Sequence, residues 1–173
     1  MSGPDLSPLR CLVGTIALGR ASIREDVTQV AVDEVQAAGF EVVRSVTVNR
    51  EKDFIVQLLS NVATGNEADA TILIGGAGIG PRDYACEAVD ELADRRIEGF
   101  GEEYRRVLRE GDGSLVTSVL TRASAGVYGQ CVVIALPRQP ASVLRRAMQE
   151  LVLPILPQAV RVATGMGHQQ ASR

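Results

Sequence analysis

Short apolar runs alternate along the chain with stretches in which apolar residues recur every three or four positions. Leu12 to Leu18 (LVGTIAL) is the first run and reads as a buried parallel strand, because strands covered on both faces lose the in–out alternation. From Asp26 to Ala38, Val27, Val30, Ala31 and Val35 recur at helical spacing, and Gly39 stops that helix. Phe40 to Val48 (FEVVRSVTV) is β-branched and strand-like; Asn49 is placed to cap a helix whose inner stripe is Phe54, Leu58, Leu59 and Val62. Ala70 to Ile74 (ATILI) is a third buried strand and runs directly into glycines. Tyr84 to Ala93 and the charged Gly101 to Arg109 read as helices, Gly111-Asp112-Gly113 as a turn, and Leu115 to Leu120 as either helix or strand. Val127-Tyr128-Gly129-Gln130 suits a hairpin tip before the apolar strand Cys131 to Leu136 (CVVIAL). Pro137-Arg138-Gln139-Pro140 breaks that strand. A closing helix follows, with Leu144, Met148, Leu151 and Ile155 on one side and a last turn beyond Pro157.

Strands separated by helices of this length predict βαβ units with right-handed crossovers, and hence a mostly parallel sheet covered on both faces. No repeat or linker interrupts the pattern. The expectation is a single three-layer α/β/α domain over residues 1–173, with its core at about 9–163 and a disordered tail at 164–173.

Composition narrows the chemistry. With 46% hydrophobic and 23% charged residues, the 173-residue chain is ordinary for a globular domain. A formal charge of −3, 3% aromatics and no Trp give neither a basic footprint nor a stacking platform, so no nucleic-acid partner is expected. No apolar run approaches the roughly 20 residues of a membrane helix, and the start lacks the layout of a secretion signal; the cytoplasm is the expected location. The single histidine, His168, lies in the polar tail, which leaves His-based triads and His-ligated metals nothing to work with. Cys11, Cys86 and Cys131 are odd in number and far apart, and read as inert buried thiols. Lys52 is the only lysine, so the other cations are arginines, a bias that suits oxyanion recognition and equally follows from composition. Glu87, Asp90, Glu91 and Asp94 read as a solvated helix face. Arg105, Arg106 and Arg109 with Glu102, Glu103 and Glu110 read as a surface helix laced with i,i+4 pairs.

In parallel sheets ligands sit beyond the carboxyl ends of the strands, and two loops there are unusual. Gly75-Gly76-Ala77-Gly78-Ile79-Gly80-Pro81-Arg82-Asp83 joins a strand to a helix. Its amides can form an anion-binding concavity, Arg82 can add a fork-shaped phosphate contact, and Asp83 can cap the helix or offer a carboxylate to nucleotide-bound Mg²⁺. It is neither a P-loop, since no Lys-Ser or Lys-Thr follows, nor a dinucleotide fingerprint, since Pro81 stands at the third glycine. The alternative is a tight turn with Asp83 as an ordinary N-cap. The second loop, Leu136 to Ser142, either caps the last helix through Ser142 or Gln139, with Arg138 facing solvent, or is only a rigid proline-framed turn.

At these loops the sequence resembles a known family. Ile74 to Asp83 (IGGAGIGPRD) resembles the TGGTGxxxRD signature of the molybdenum-cofactor biosynthesis family, the Mog/MoaB proteins and the related domain of gephyrin. Gly99-Phe100-Gly101-Glu102 resembles its PGFGE segment and Leu136-Pro137-Arg138-Gln139-Pro140 its LPGQP or LPGSP loop. The resemblance implies the fold of those proteins, trimers or hexamers of two trimers, and binding of molybdopterin and Mg-ATP with transfer of AMP to the pterin phosphate. Carried over residue by residue, binding falls to Gly75, Gly76, Ala77, Gly78, Arg82, Glu102, Pro137, Gln139, Pro140 and Ser142; Asp83 would be catalytic and hold Mg²⁺. The sequence also departs from the pattern. Ile74 and Ala77 replace threonines, Leu18-Gly19-Arg20 stands where a Ser-Asp pair is usual, and only Asp26 remains of an Asp-(Ser)-Gly element. Arg50 aligns with a catalytic aspartate, and Arg138 replaces the glycine of LPG. Three readings follow: a molybdopterin adenylyltransferase with an altered pocket; an inactive relative that holds pterin or nucleotide or serves as an oligomeric assembly module; and an unrelated nucleotide-binding α/β protein.

Overall fold

A computed structural model describes residues 7–17, 26–112 and 114–166. In chain order the elements are β1 (Arg10–Ile16), α1 (Val27–Ala37), β2 (Glu41–Val48), α2 (Lys52–Thr64), β3 (Ala70–Ile74), α3 (Ala85–Leu92), β4 (Arg95–Arg96), α4 (Phe100–Asp112), α5 (Leu115–Leu120), β5 (Ser124–Tyr128), β6 (Cys131–Leu136), α6 (Ala141–Ala147), a π-helical turn (Met148–Val152) and α7 (Leu153–Ala163). The sheet order is β2-β1-β3-β6-β5-β4. Its first four strands are parallel, and β5 and β4 add an antiparallel edge. The expected mostly parallel, three-layer α/β architecture is therefore the observed one.

Alternate residues of the central strands feed two cores. Cys11, Val13, Ile72 and Ile134 pack with α1, α4, α6 and α7, whereas Leu12, Leu73, Val133 and Ala135 pack with α2 and α3. β3 and β6 are buried along their whole length, which is why they read as continuous apolar runs. The three cysteines lie inside these layers as free thiols; burial pushes Cys11 and Cys86 up to about 12 and Cys131 up to about 11, as inert side chains require.

Several local expectations are corrected. α2 begins at Lys52 after Glu51, and Asn49 instead accepts from the Glu51 amide (3.1 Å). Its buried stripe is Ile55, Leu59 and Val62; Phe54 is half exposed. Leu59 and Val62 hold from the expected stripe and Leu58 is partly buried; Ile55 takes the inward place given to Phe54, in keeping with the i, i+4, i+7 spacing of 55, 59 and 62. Leu115–Leu120 is a helix, capped by Ser114 Oγ accepting from Thr117 N. The closing helix does not end in a single turn past Pro157 but runs to Ala163 with Pro157 inside it. Before it, Leu153 N–H donates to Met148 O, a π-type step, and Pro154 has no amide to offer the Glu150 carbonyl. Residues 164–166, expected as tail, fold back on α7: Thr164 Oγ1 donates to Val160 O at 3.0 Å and Met166 N to Arg161 O at 3.0 Å. Leu18, Gly19, Arg20 and His168 lie outside the described residues.

Candidate functional site

β3 and β6 are adjacent and parallel, with Ile74 opposite Leu136, so the two unusual loops leave the sheet side by side. Gly75 N–H donates to Leu136 O at 2.8 Å and joins them. The glycine segment turns through left-handed backbone at Gly75 (φ +103°) and Gly76 (φ +69°). A Cβ on Gly76 would stand 3.2 Å from the Ala85 methyl, and the Gly76 carbonyl accepts from Ala85 N at 2.9 Å at the start of α3. Ala77 is buried whole in the α2–α3 core, so this position shapes the turn and offers no surface to a ligand.

The residue that holds the segment was not singled out from the sequence. Arg122, between α5 and β5, donates from Nε to Gly78 O (2.6 Å) and from its terminal nitrogens to Asp83 O (2.8 Å) and to Glu87 (2.5 and 3.3 Å). Its amide donates to Ala77 O at 2.9 Å, and Cys86 Sγ donates to the Arg122 carbonyl at 2.9 Å. The Arg122 guanidinium holds the Glu87 carboxyl below its ordinary value. The one available signal was a lone cation set among small and apolar residues just before a strand.

The acidic face of α3 is consequently more than a solvated stripe. Glu87 pairs with Arg122, Asp90 with Arg96, and Glu91 with Lys52, while Asp94 accepts from Gly129 N at 2.8 Å. On α4 the expected pairing is seen for Arg106, which bridges Glu103 at i,i+3 and Glu110 at i,i+4. Asp83 does not cap α3, whose first flanking residue is Tyr84 without a side-chain cap. Its carboxylate turns back onto the loop instead: Oδ2 accepts from Gly80 N at 2.8 Å and stands where side chains on Gly78 or Gly80 would begin. The loop's own carboxylate thus takes one of the amides expected to face an anion.

In the second loop Pro137 is buried and Pro140 flanks α6 with no side-chain cap, and among the described residues neither Gln139 nor Ser142 bonds the first turn of α6 through its side chain. Arg138 is half-buried rather than solvent-facing, and its Nε, like that of Arg50, is buried and without a hydrogen-bond partner among the described residues. A buried donor left unmatched costs about 1–3 kcal/mol. Ser142 is exposed on α6 and lines a cavity of about 280 Å³ with Val107, Leu108 and Arg146. Glu102 is exposed in the first turn of α4. Arg82 lines a different cavity, about 530 Å³, between the glycine segment and the β2–α2 junction; its walls are Arg50, Glu51, Lys52, Asp53, Arg82 and Tyr84.

Among the described residues no set of side chains is arranged to hold Mg²⁺ by itself. Among the described residues no three His, Cys, Asp or Glu side chains come together as a metal site. Asp26 caps α1, its Oδ1 accepting from Thr28 N and Gln29 N, Asp83 Oδ2 is turned to Gly80, and the larger cavity carries three cations against two carboxylates.

Residues 11–158 match the family model described as "Probable molybdopterin binding domain". The chain belongs to this family. It is 30% identical over 159 residues to molybdenum cofactor biosynthesis protein B of Bacillus subtilis, with 91% of each chain covered. It is also 30% identical over 115 residues to the molybdopterin adenylyltransferase of Helicobacter pylori, covering 66% of this chain and 62% of that one. Among solved structures, a molybdenum cofactor biosynthesis protein B superposes with a TM-score of 0.82 at 30% identity, covering 92% of this chain and 98% of the other. The molybdopterin biosynthesis enzyme MoaB of Thermus thermophilus superposes with a TM-score of 0.76 at 33% identity, with 91% and 97% covered. Among the described residues no helix is long and apolar enough to cross a membrane.

Proposed function

We propose that this molybdenum-cofactor-family chain binds molybdopterin together with ATP at the shared end of β3 and β6. The observation that carries the reading is the hydrogen bond from Gly75 to Leu136, which joins the two loops whose residues match the family's binding segments. In this reading the main chain of Gly76 and Gly78 faces phosphate oxygens and Arg82 adds its fork, while the buried Gly75 and Ala77 fix the course of the turn beneath them. Pro137, Gln139 and Pro140 frame the second guest, while Glu102 and Ser142 meet it from α4 and α6. The reaction open to this pair is adenylyl transfer. An oxygen of the pterin phosphate attacks the α-phosphorus of ATP, the bond to the β-phosphate oxygen breaks, and pyrophosphate leaves. Such transfer rests on positioning and charge neutralisation, which guanidinium groups and amides supply. Asp83 contributes by holding Gly80 and, through it, the course of the loop; no step is assigned to a metal.

A second reading, a binding or assembly module without transferase activity, is favoured by α5. Its Leu115, Val116, Val119 and Leu120 are exposed, an apolar surface suited to self-association as a trimer or hexamer in the cytoplasm. Calorimetric titration with molybdopterin, followed by mass spectrometry of a mixture with ATP, separates the two. Saturable pterin binding with an adenylylated product is the expected result. Binding without product selects the module, and absence of pterin binding overturns both. Sedimentation at monomer mass would remove the assembly part.

A further inference from the structure

The cavity beside the end of β2 carries the reading further, and the inference rests on that reading. Arg50 enters it from the strand end and Arg82 from the glycine segment, with the half-exposed Tyr84 beside them. Arg50 lines the wall, and its Nε is buried without an acceptor among the described residues, a donor that the polypeptide does not itself satisfy. The remaining charges have other roles or stand in water. Lys52 is paired with Glu91, and Asp53 sits in the first turn of α2, where the helix terminus answers its charge. Glu51 is exposed at the cavity's edge. Neither Arg50 nor Arg82 makes an ion pair among the described residues. Planar guanidinium groups bind phosphate through two parallel N–H donors and stay charged at every accessible pH.

The geometry points to a metal-independent oxyanion site: Arg50 and Arg82 hold the phosphates of the nucleotide and neutralise the charge that a divalent cation would neutralise in a carboxylate-lined pocket. Tyr84 offers its ring to the planar heterocycle. The reversal of sign at position 50 is then a change in how charge is balanced, and the cavity still takes a phosphorylated guest.

The test is calorimetric titration of the full-length protein with ATP, once in excess EDTA and once with Mg²⁺. Wild-type affinity should agree between the two buffers within about twofold, and Arg50→Ala and Arg82→Ala should each weaken ATP binding by about tenfold or more in EDTA. Arg82 is exposed, so its variant keeps the fold whatever happens to Arg50→Ala. Arg161→Ala, on α7, should bind as the wild type does; an equal loss there would mean a response to net charge and overturn the site. Binding that requires Mg²⁺, or that survives both cavity substitutions, overturns the inference and leaves the family reading standing. No ATP binding in either buffer also overturns it, and the separate molybdopterin titration then decides the pterin part of the reading on its own.

Discussion

The turns after β3 and β6 start at the same level of neighbouring strands, one residue beyond the Ile74–Leu136 pair, and they are held by opposite means. The glycine turn is a polar construction. Its backbone runs through positive φ, its carbonyls at Ala77, Gly78 and Asp83 are bonded by Arg122, and its own Asp83 carboxylate closes on Gly80. The proline turn is set by rigid φ angles and by what lies under it: Pro137 is buried, and Leu144 is fully buried one helical turn after Pro140, whose carbonyl accepts its amide at 3.0 Å. Two loops at one sheet edge can thus share a place in the fold while differing in what loosens them. Polar ties yield to charge changes and acid, and apolar anchoring yields to lost volume.

The largest effect should come from the apolar side. Leu144→Ala removes a fully buried side chain in the core beneath the proline turn and should cost about 3 kcal/mol in urea unfolding. A loss below about 1 kcal/mol would mean that the proline turn does not lean on this core. Arg122→Ala should cost less, about 1–2 kcal/mol, because the guanidinium is one-third exposed to solvent. Its more telling consequence is local: amide exchange should quicken across 77–83 and stay unchanged across 137–142. Equal quickening in both turns would erase the contrast between them.

The smallest effect concerns acid. Arg122 holds the Glu87 carboxyl below the ordinary value of 4.5. The stability this pair adds is therefore complete above the unfolded-state value and is lost as pH falls through the lower folded-state value. Both partners are more than a third exposed, so the contribution is about 0.5 kcal/mol. Glu87→Gln should show a shallower fall in unfolding free energy below about pH 4.5 than the wild type, measured by denaturant titration at several pH values. Parallel curves would show that the pair has no weight in holding the glycine turn.

Much of the frame was legible because it is written in short-range terms. The unbroken runs ATILI and CVVIAL announce strands covered on both faces, and glycines directly after a strand announce a turn that other residues enter only with strain. In α2 Leu59 and Val62 were legible from their spacing, whereas the cap was not, because Asn49 turns to the Glu51 amide instead of capping the helix. The roles of Asp83 and Arg138 were open for another reason. A carboxylate at a helix start can cap or turn back onto its own loop, and an arginine after a strand can face water or the interior. Only the surrounding backbone selects between these.

Local sequence determined the class of fold, the four parallel strands, the glycine turn and the inert burial of the three thiols, since each depends on φ preferences or on apolar spacing within a few residues; the antiparallel edge of β4 and β5 was not legible in it. Tertiary structure alone decided that Arg122, 44 residues beyond Gly78, ties the glycine segment together, and that Arg50 and Arg82 share one cavity. Those meetings follow from the sheet order β2-β1-β3-β6-β5-β4, which sets distant strand ends side by side and which no stretch of adjacent residues encodes.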